Sequence, residues 1–117
     1  MSKLSDEVYD KFREWYPHFT IRKEHYVNYK GSRLFFDFFI KELNLLIECQ
    51  GQQHYEFNKH FHGDKLVFLD SKARDNLKIE YAEENRMALM LIRYNDKIEY
   101  RLMQSNIMKA ILKVKLS

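Results

Sequence analysis

Two apolar runs, residues 34–40 and 45–49, are each interrupted by one acid, Asp37 and Glu48. Near-continuous apolar runs of this length mark strands covered on both faces, so the chain has to build a sheet with layers on either side. A carboxylate inside such a strand is costly unless something pairs with it. If the two runs form a hairpin closed by Ile40 opposite Leu45, Asp37 falls opposite Glu48 on one face of the sheet. Directly opposed residues have Cβ atoms about 4.5–5.5 Å apart. Two carboxylates at that distance repel, and one would normally take up a proton. A divalent cation between them favours both charged forms. Hard carboxylate oxygens suit Mg²⁺, which binds through one or two carboxylates plus substrate phosphate. The same geometry also fits two acids that bridge to lysines of a neighbouring helix, or that sit at a partly wet end of the sheet. Gln50 projects from the face of Glu48, and Ile47 and Cys49 point the other way.

The remaining pattern places these strands. Leu4, Val8, Phe12 and Trp15 share one helical face over 4–16, with Ser2 or Ser5 as a cap and Pro17 as the stop. Residues 19–29 alternate as a half-buried strand, with Phe19, Ile21, Val27 and Tyr29 on one side. Lys30-Gly31-Ser32 is the turn that follows. Residues 51–64 are polar and read as a loop. Leu66, Leu69, Ala73, Leu77 and Tyr81 give an amphipathic helix over 65–84, residues 87–94 a fourth strand, and a last helix starts near Asp96 with Ile98, Leu102, Met108 and Leu112 on one face. A meander followed by a helical crossover predicts an α/β fold: a mixed four-stranded sheet flanked by helices, in one domain over 1–117.

Composition narrows the function. The 117 residues are 45% apolar and 32% charged with three glycines and one proline, which disfavours disorder and low complexity. No apolar run approaches the roughly 20 residues of a membrane span, so no membrane partner is expected. The acidic, polar start is unlike a signal peptide, and the single cysteine suits a reducing cytoplasm. A net charge of +3 permits nucleic-acid binding without requiring it. The lysines of the C-terminal "KAILKVK" are read first as partners of a helix dipole.

The layout "FFDFFI … LLIECQGQQHY", set within helix, three strands, helix and strand, resembles the PD-(D/E)XK nucleases of the restriction-endonuclease-like superfamily. Together with "SKARDNLKIEYAEENRMALMLIRY" it is similar to small phage-type endonucleases related to very-short-patch-repair and homing nucleases, over residues 4–94. The resemblance implies an αβββαβ core, here with a C-terminal helix added, and metal-dependent hydrolysis of DNA phosphodiesters by activated water. Asp37 and Glu48 match the family's two metal-binding acids. The metal would be Mg²⁺, with Mn²⁺ as a substitute. Gln50 stands where the family usually has a catalytic lysine, and Phe36 where it often has proline. Some relatives supply a lysine from the following helix, which makes Lys78 the candidate here, ahead of Lys72 and Arg74. Glu7 resembles a first-helix acid that some members aim at the metal, and reads equally as a first-turn glutamate favoured by the dipole. His54 matches the family's Gln-His pair, as a general base, a phosphate contact or a partner of a metal ligand.

The loop holding His54, His60 and His62 fits no closed zinc spacing. With its aromatics and with Lys59 and Lys65 it reads as a nucleic-acid contact, joined by Lys72 and Arg74. Those helix charges also read as a solvated face of paired residues. The expected partner is DNA, with RNA open, and with a homodimer or an accessory protein where sequence choice needs one. The resemblance places the protein in the cytoplasm of a bacterial or phage-infected cell. The rival readings are a nucleic-acid-binding or protein-binding module on a nuclease fold that has lost activity.

Overall fold

The structure is a computed structural model that describes residues 3–52 and 65–117. The order is α1 (Lys3–Trp15), β1 (Ile21–Tyr29), β2 (Ser32–Ile40), a 3₁₀ turn at Lys41–Leu43, β3 (Leu45–Gln50), α2 (Lys65–Glu84), β4 (Ala88–Arg93) and α3 (Tyr100–Lys115). The strands form one sheet in the order β1-β2-β3-β4, antiparallel for the first two pairings and parallel between β3 and β4. The fold is thus α/β, with a mixed four-stranded sheet between helices. Among the described residues no helix is long and apolar enough to cross a membrane.

Each face of the sheet has its own core. Val8 and Phe12 of α1 and Met103 and Ile107 of α3 pack with Phe38, Ile40, Leu45, Ile47, Cys49, Met90 and Ile92. On the other face Leu77, Tyr81 and Ala82 of α2 cover Tyr29, Leu34, Phe36 and Leu46. Every residue of β3 is buried. Burying one large apolar side chain contributes about 1.5–3 kcal/mol, so the strand can carry one polar residue such as Glu48 inside it.

The hairpin of β2 and β3 has the register read from the sequence, with Ile40 paired to Leu45 and Phe38 to Ile47. β1 departs from its expected pattern. Ile21 lies on the α1 face, whereas Val27 and Tyr29 lie under α2. Side-chain alternation reverses at Glu24, whose φ of 51° is left-handed. β2 reverses at the opposite residue: Phe36 lies under α2 and Phe38 under α1, although they are two apart. Glu24 and Asp37 are skipped by the pairing, which is regular on both sides of them. Both strands kink at one rung, and the register survives. A non-glycine residue in the left-handed region costs roughly 1–2 kcal/mol, and a β-branched one is least tolerated. Glu24→Val, which strand propensity alone would favour, should therefore lower stability by about 1 kcal/mol, while Glu24→Gly should not. Urea denaturation of both variants checks this, and the reverse order would mean an ordinary strand residue.

Other boundaries shift for local reasons. Lys30 and Gly31 alone make the hairpin turn, with φ of 51° and 78°, which frees Ser32 to pair with Tyr29. Ser5 is not a cap but a buried residue inside α1. Asp96 does not start α3; its carboxylate accepts from the Arg93 amide at 2.8 Å and closes the turn after β4. α3 begins at Tyr100 and buries Met103 and Ile107, leaving Leu102, Met108 and Leu112 exposed. Leu102 and Met108 are six residues apart and so lie on different sides of the helix, whereas Met103 and Ile107, four apart, share the face that packs. Leu66 and Leu69 of α2 are exposed, so only the second half of that helix packs as expected.

Candidate functional site

The kink is where the two acids meet. The β2–β3 ladder stops at Phe38 and Ile47, and at the next rung side chains take over from the backbone. The Asp37 amide donates to Glu48 Oε1 at 3.0 Å. The Cys49 amide donates to Asp37 Oδ2 at 2.7 Å. Two strand amides that would otherwise be orphaned are thereby satisfied, and both carboxylates are fixed in orientation.

Glu48 is 5% exposed. Its other oxygen, Oε2, lies 2.6 Å from the ammonium of Lys78, which reaches it from α2. That ammonium also stands 5.7 Å from the Phe36 ring centroid. Burial pushes the Glu48 carboxyl up to about 7; Lys78 pulls against this, and the neighbouring Asp37 charge adds to it. Lys78 therefore does not fully offset the burial of Glu48. Burial, reinforced by Asp37 and Glu48, also drives the Cys49 thiol upward, so it stays a neutral core group that serves the site through its amide.

Gln50 is buried on the Glu48 face. Together with Glu48, Asp75, Lys78 and Leu91 it lines a recess of about 20 Å³ between β3, β4 and α2. A site of that size and polarity holds about one water. What the site offers a small hard cation is the Glu48 carboxylate, Asp75 and the Gln50 amide around an ion-sized polar recess; Asp37 is not among the residues that line it. Asp75 was missed in the sequence. Its signal was its position one turn before Lys78 on the helix chosen for the lysine. A larger cleft of about 510 Å³ between α2, β4 and α3 is lined by Ile79, Met87, Leu89, Lys113 and Val114 and contains neither acid.

The other candidates are spread out. Glu7 is exposed on α1, and among the described residues no three His, Cys, Asp or Glu side chains come together to hold a metal. Lys65 is exposed at the start of α2, and Lys72 has its ammonium 5.4 Å from the Phe68 ring centroid. Arg74 pairs with Asp70 at 3.4 Å, one of the helix-face pairs the alternative reading anticipated. His54, Lys59, His60 and His62 lie outside the described residues.

Fold and site together define an α/β protein with a half-buried carboxylate pair, bridged to a helix lysine, at a kink in its central hairpin. Two viral proteins are similar to it. It is 35% identical over 68 residues to the uncharacterized protein 033L of Invertebrate iridescent virus 3, a match covering 58% of this chain and 35% of the viral protein. It is 36% identical over 61 residues to the uncharacterized protein 307L of Invertebrate iridescent virus 6, covering 52% of this chain and 31% of that one. The chain thus spans about a third of the length of these curated relatives. No family model and no solved structure matches it.

Proposed function

We propose that this chain is a metal-dependent endonuclease domain of the restriction-endonuclease-like kind, which hydrolyses the phosphodiesters of DNA. The observation that carries the reading is the carboxylate pair at the kinked rung, oriented by backbone amides and backed by Lys78. Asp37 and Glu48 would hold the cation. Mg²⁺ bound there would supply a Lewis acid for a phosphoryl oxygen and a water of lowered pKa. Lys78 provides, from α2, the positive charge that the motif lacks at Gln50, and such a charge stabilises the negative charge that develops on phosphate. Gln50, an amide on the rim of the same recess, orients water by donating and accepting. One such site cuts one strand, so a monomer nicks and a dimer can cut both.

A second reading is favoured by one observation: both carboxylates also satisfy strand amides, a role that needs no metal. On that reading the domain binds nucleic acid or protein without cutting.

Supercoiled plasmid incubated with the protein and Mg²⁺ or Mn²⁺ should become relaxed or linear, and EDTA should stop it. Folded protein that leaves plasmid, single-stranded DNA and RNA intact with either metal would overturn the nuclease reading. DNA binding that weakens with salt, without cleavage, would then point to the binding module.

A further inference from the structure

Beyond the rung of Glu24 and Asp37, the β1–β2 hairpin has two unlike faces. Val27, Tyr29, Leu34 and Phe36 lie under α2. The opposite face carries Tyr26 and Asn28 of β1, paired with Phe35 and Arg33 of β2. Tyr26 is 47% exposed and Phe35 53% exposed, with ring centroids 5.2 Å apart and planes tilted by 48°. Cross-strand packing explains why the rings touch each other. It does not explain two large aromatics on a face that leaves about half of each open to water.

The charges beside them indicate what would cover these rings. The exposed charged residues of this hairpin are Arg22, Lys23, Lys30 and Arg33 against Glu24 alone. Lys30 is committed to Glu80 of α2. Lys23 lies 4.0 Å from the Tyr9 ring centroid. Arg33 is the cation that shares the face of the rings, and open aromatic faces with a cation alongside suit a nucleic-acid strand, because every base has a π-face and every linkage a negative charge.

We propose that Tyr26 and Phe35, flanked by Arg33, form a stacking platform for unpaired bases of a nucleic-acid strand, on the face of the hairpin turned away from α2. The platform stands apart from the nuclease reading and is measured by binding alone. It makes base-exposed nucleic acid, rather than intact duplex, the preferred ligand.

The test is fluorescence anisotropy in EDTA with labelled single-stranded DNA, single-stranded RNA and a blunt DNA duplex of equal length. Wild type should bind the single strands more tightly than the duplex, and the DNA and RNA arms identify which strand it takes. Phe35→Ala and Tyr26→Ala should each weaken single-strand binding roughly tenfold and leave duplex binding unchanged. Phe35→Tyr and Tyr26→Phe should keep it. The indole fluorescence of Phe35→Trp should change when a single strand is added. Arg33→Ala should weaken every substrate and reduce the salt slope by about 1. Equal losses on all three substrates, no loss from either alanine variant, or no binding at low salt would overturn the platform. So would a change of oligomeric mass in Tyr26→Ser/Phe35→Ser, which would make the patch an interface between copies. Failure of the nuclease reading shows separately, as intact DNA in Mg²⁺ with the single-strand preference retained.

Discussion

Asp37→Asn and Glu48→Gln should each abolish metal-dependent plasmid cleavage while leaving the protein folded. Each replaces a carboxylate by an amide of nearly the same shape. The amide oxygen can still accept from Cys49 in one case and from Asp37 in the other, so the kinked rung keeps its hydrogen bonds. What is lost is the negative charge that, on the nuclease reading, would bind the cation, and at Glu48 also the charge that pairs with Lys78. Removing an outer partner of a metal ligand already costs roughly 10–100-fold, and removing the ligand itself should cost more. Asp37→Ala and Glu48→Ala are poorer probes, because each leaves a strand amide without an acceptor, at about 1–3 kcal/mol. Rates of supercoil loss, beside circular-dichroism melts, separate the effects. Isosteric variants that still cut at the wild-type rate would remove the carboxylate pair from the chemistry.

The second large effect concerns stability and pH. The Glu48 carboxyl sits at about 7 in the folded protein against an ordinary value of 4.5. An acid raised in this way binds its proton more tightly folded than unfolded. Its favourable contribution is complete below the unfolded value and is lost as pH rises through the folded one. Across that window the fold should lose about 3 kcal/mol from this group. Lys78 limits the loss, being the partner that favours the ionised form. Lys78→Met removes it, so the variant should be less stable than wild type by about 3 kcal/mol above roughly pH 8. Near about pH 4, where Glu48 is protonated folded and unfolded alike, the gap should close. Glu48→Gln/Lys78→Met should recover most of the alkaline loss. Urea denaturation at three pH values measures it, and a deficit that does not change with pH would mean that Lys78 acts through packing instead.

Much of this architecture was legible because strong local signals agreed with each other. The apolar runs on either side of Lys41–Asn44 fixed β2, β3 and their register, and the register alone put Asp37 opposite Glu48. What escaped detection was longer in range or subtler. Nothing in "RKEHYVN" says that Glu24 adopts a left-handed backbone; the strain is imposed by the neighbouring strand, and the reversal of faces follows from it. On α3 the residues Leu102 and Met108 do not share a face, being six apart and so on different sides of the helix, whereas Met103 and Ile107, four apart, make the stripe that packs. Lys78 entered through the family resemblance, and the structure sets its ammonium 2.6 Å from Glu48, a contact that a purely structural ion pair would also make. Asp75, one turn before Lys78, gains its place at the recess only once α2 is laid against β3.

The kinked rung also bears on ancestry. Because Asp37 and Glu48 stand in for missing backbone partners, a descendant that stopped cutting would still be selected to keep both, as struts of its sheet. Lys78 shares that constraint, because it holds the buried Glu48 carboxylate in an ion pair. In a set of relatives, persistence of these three residues would therefore be evidence of a shared scaffold and not, by itself, of shared chemistry.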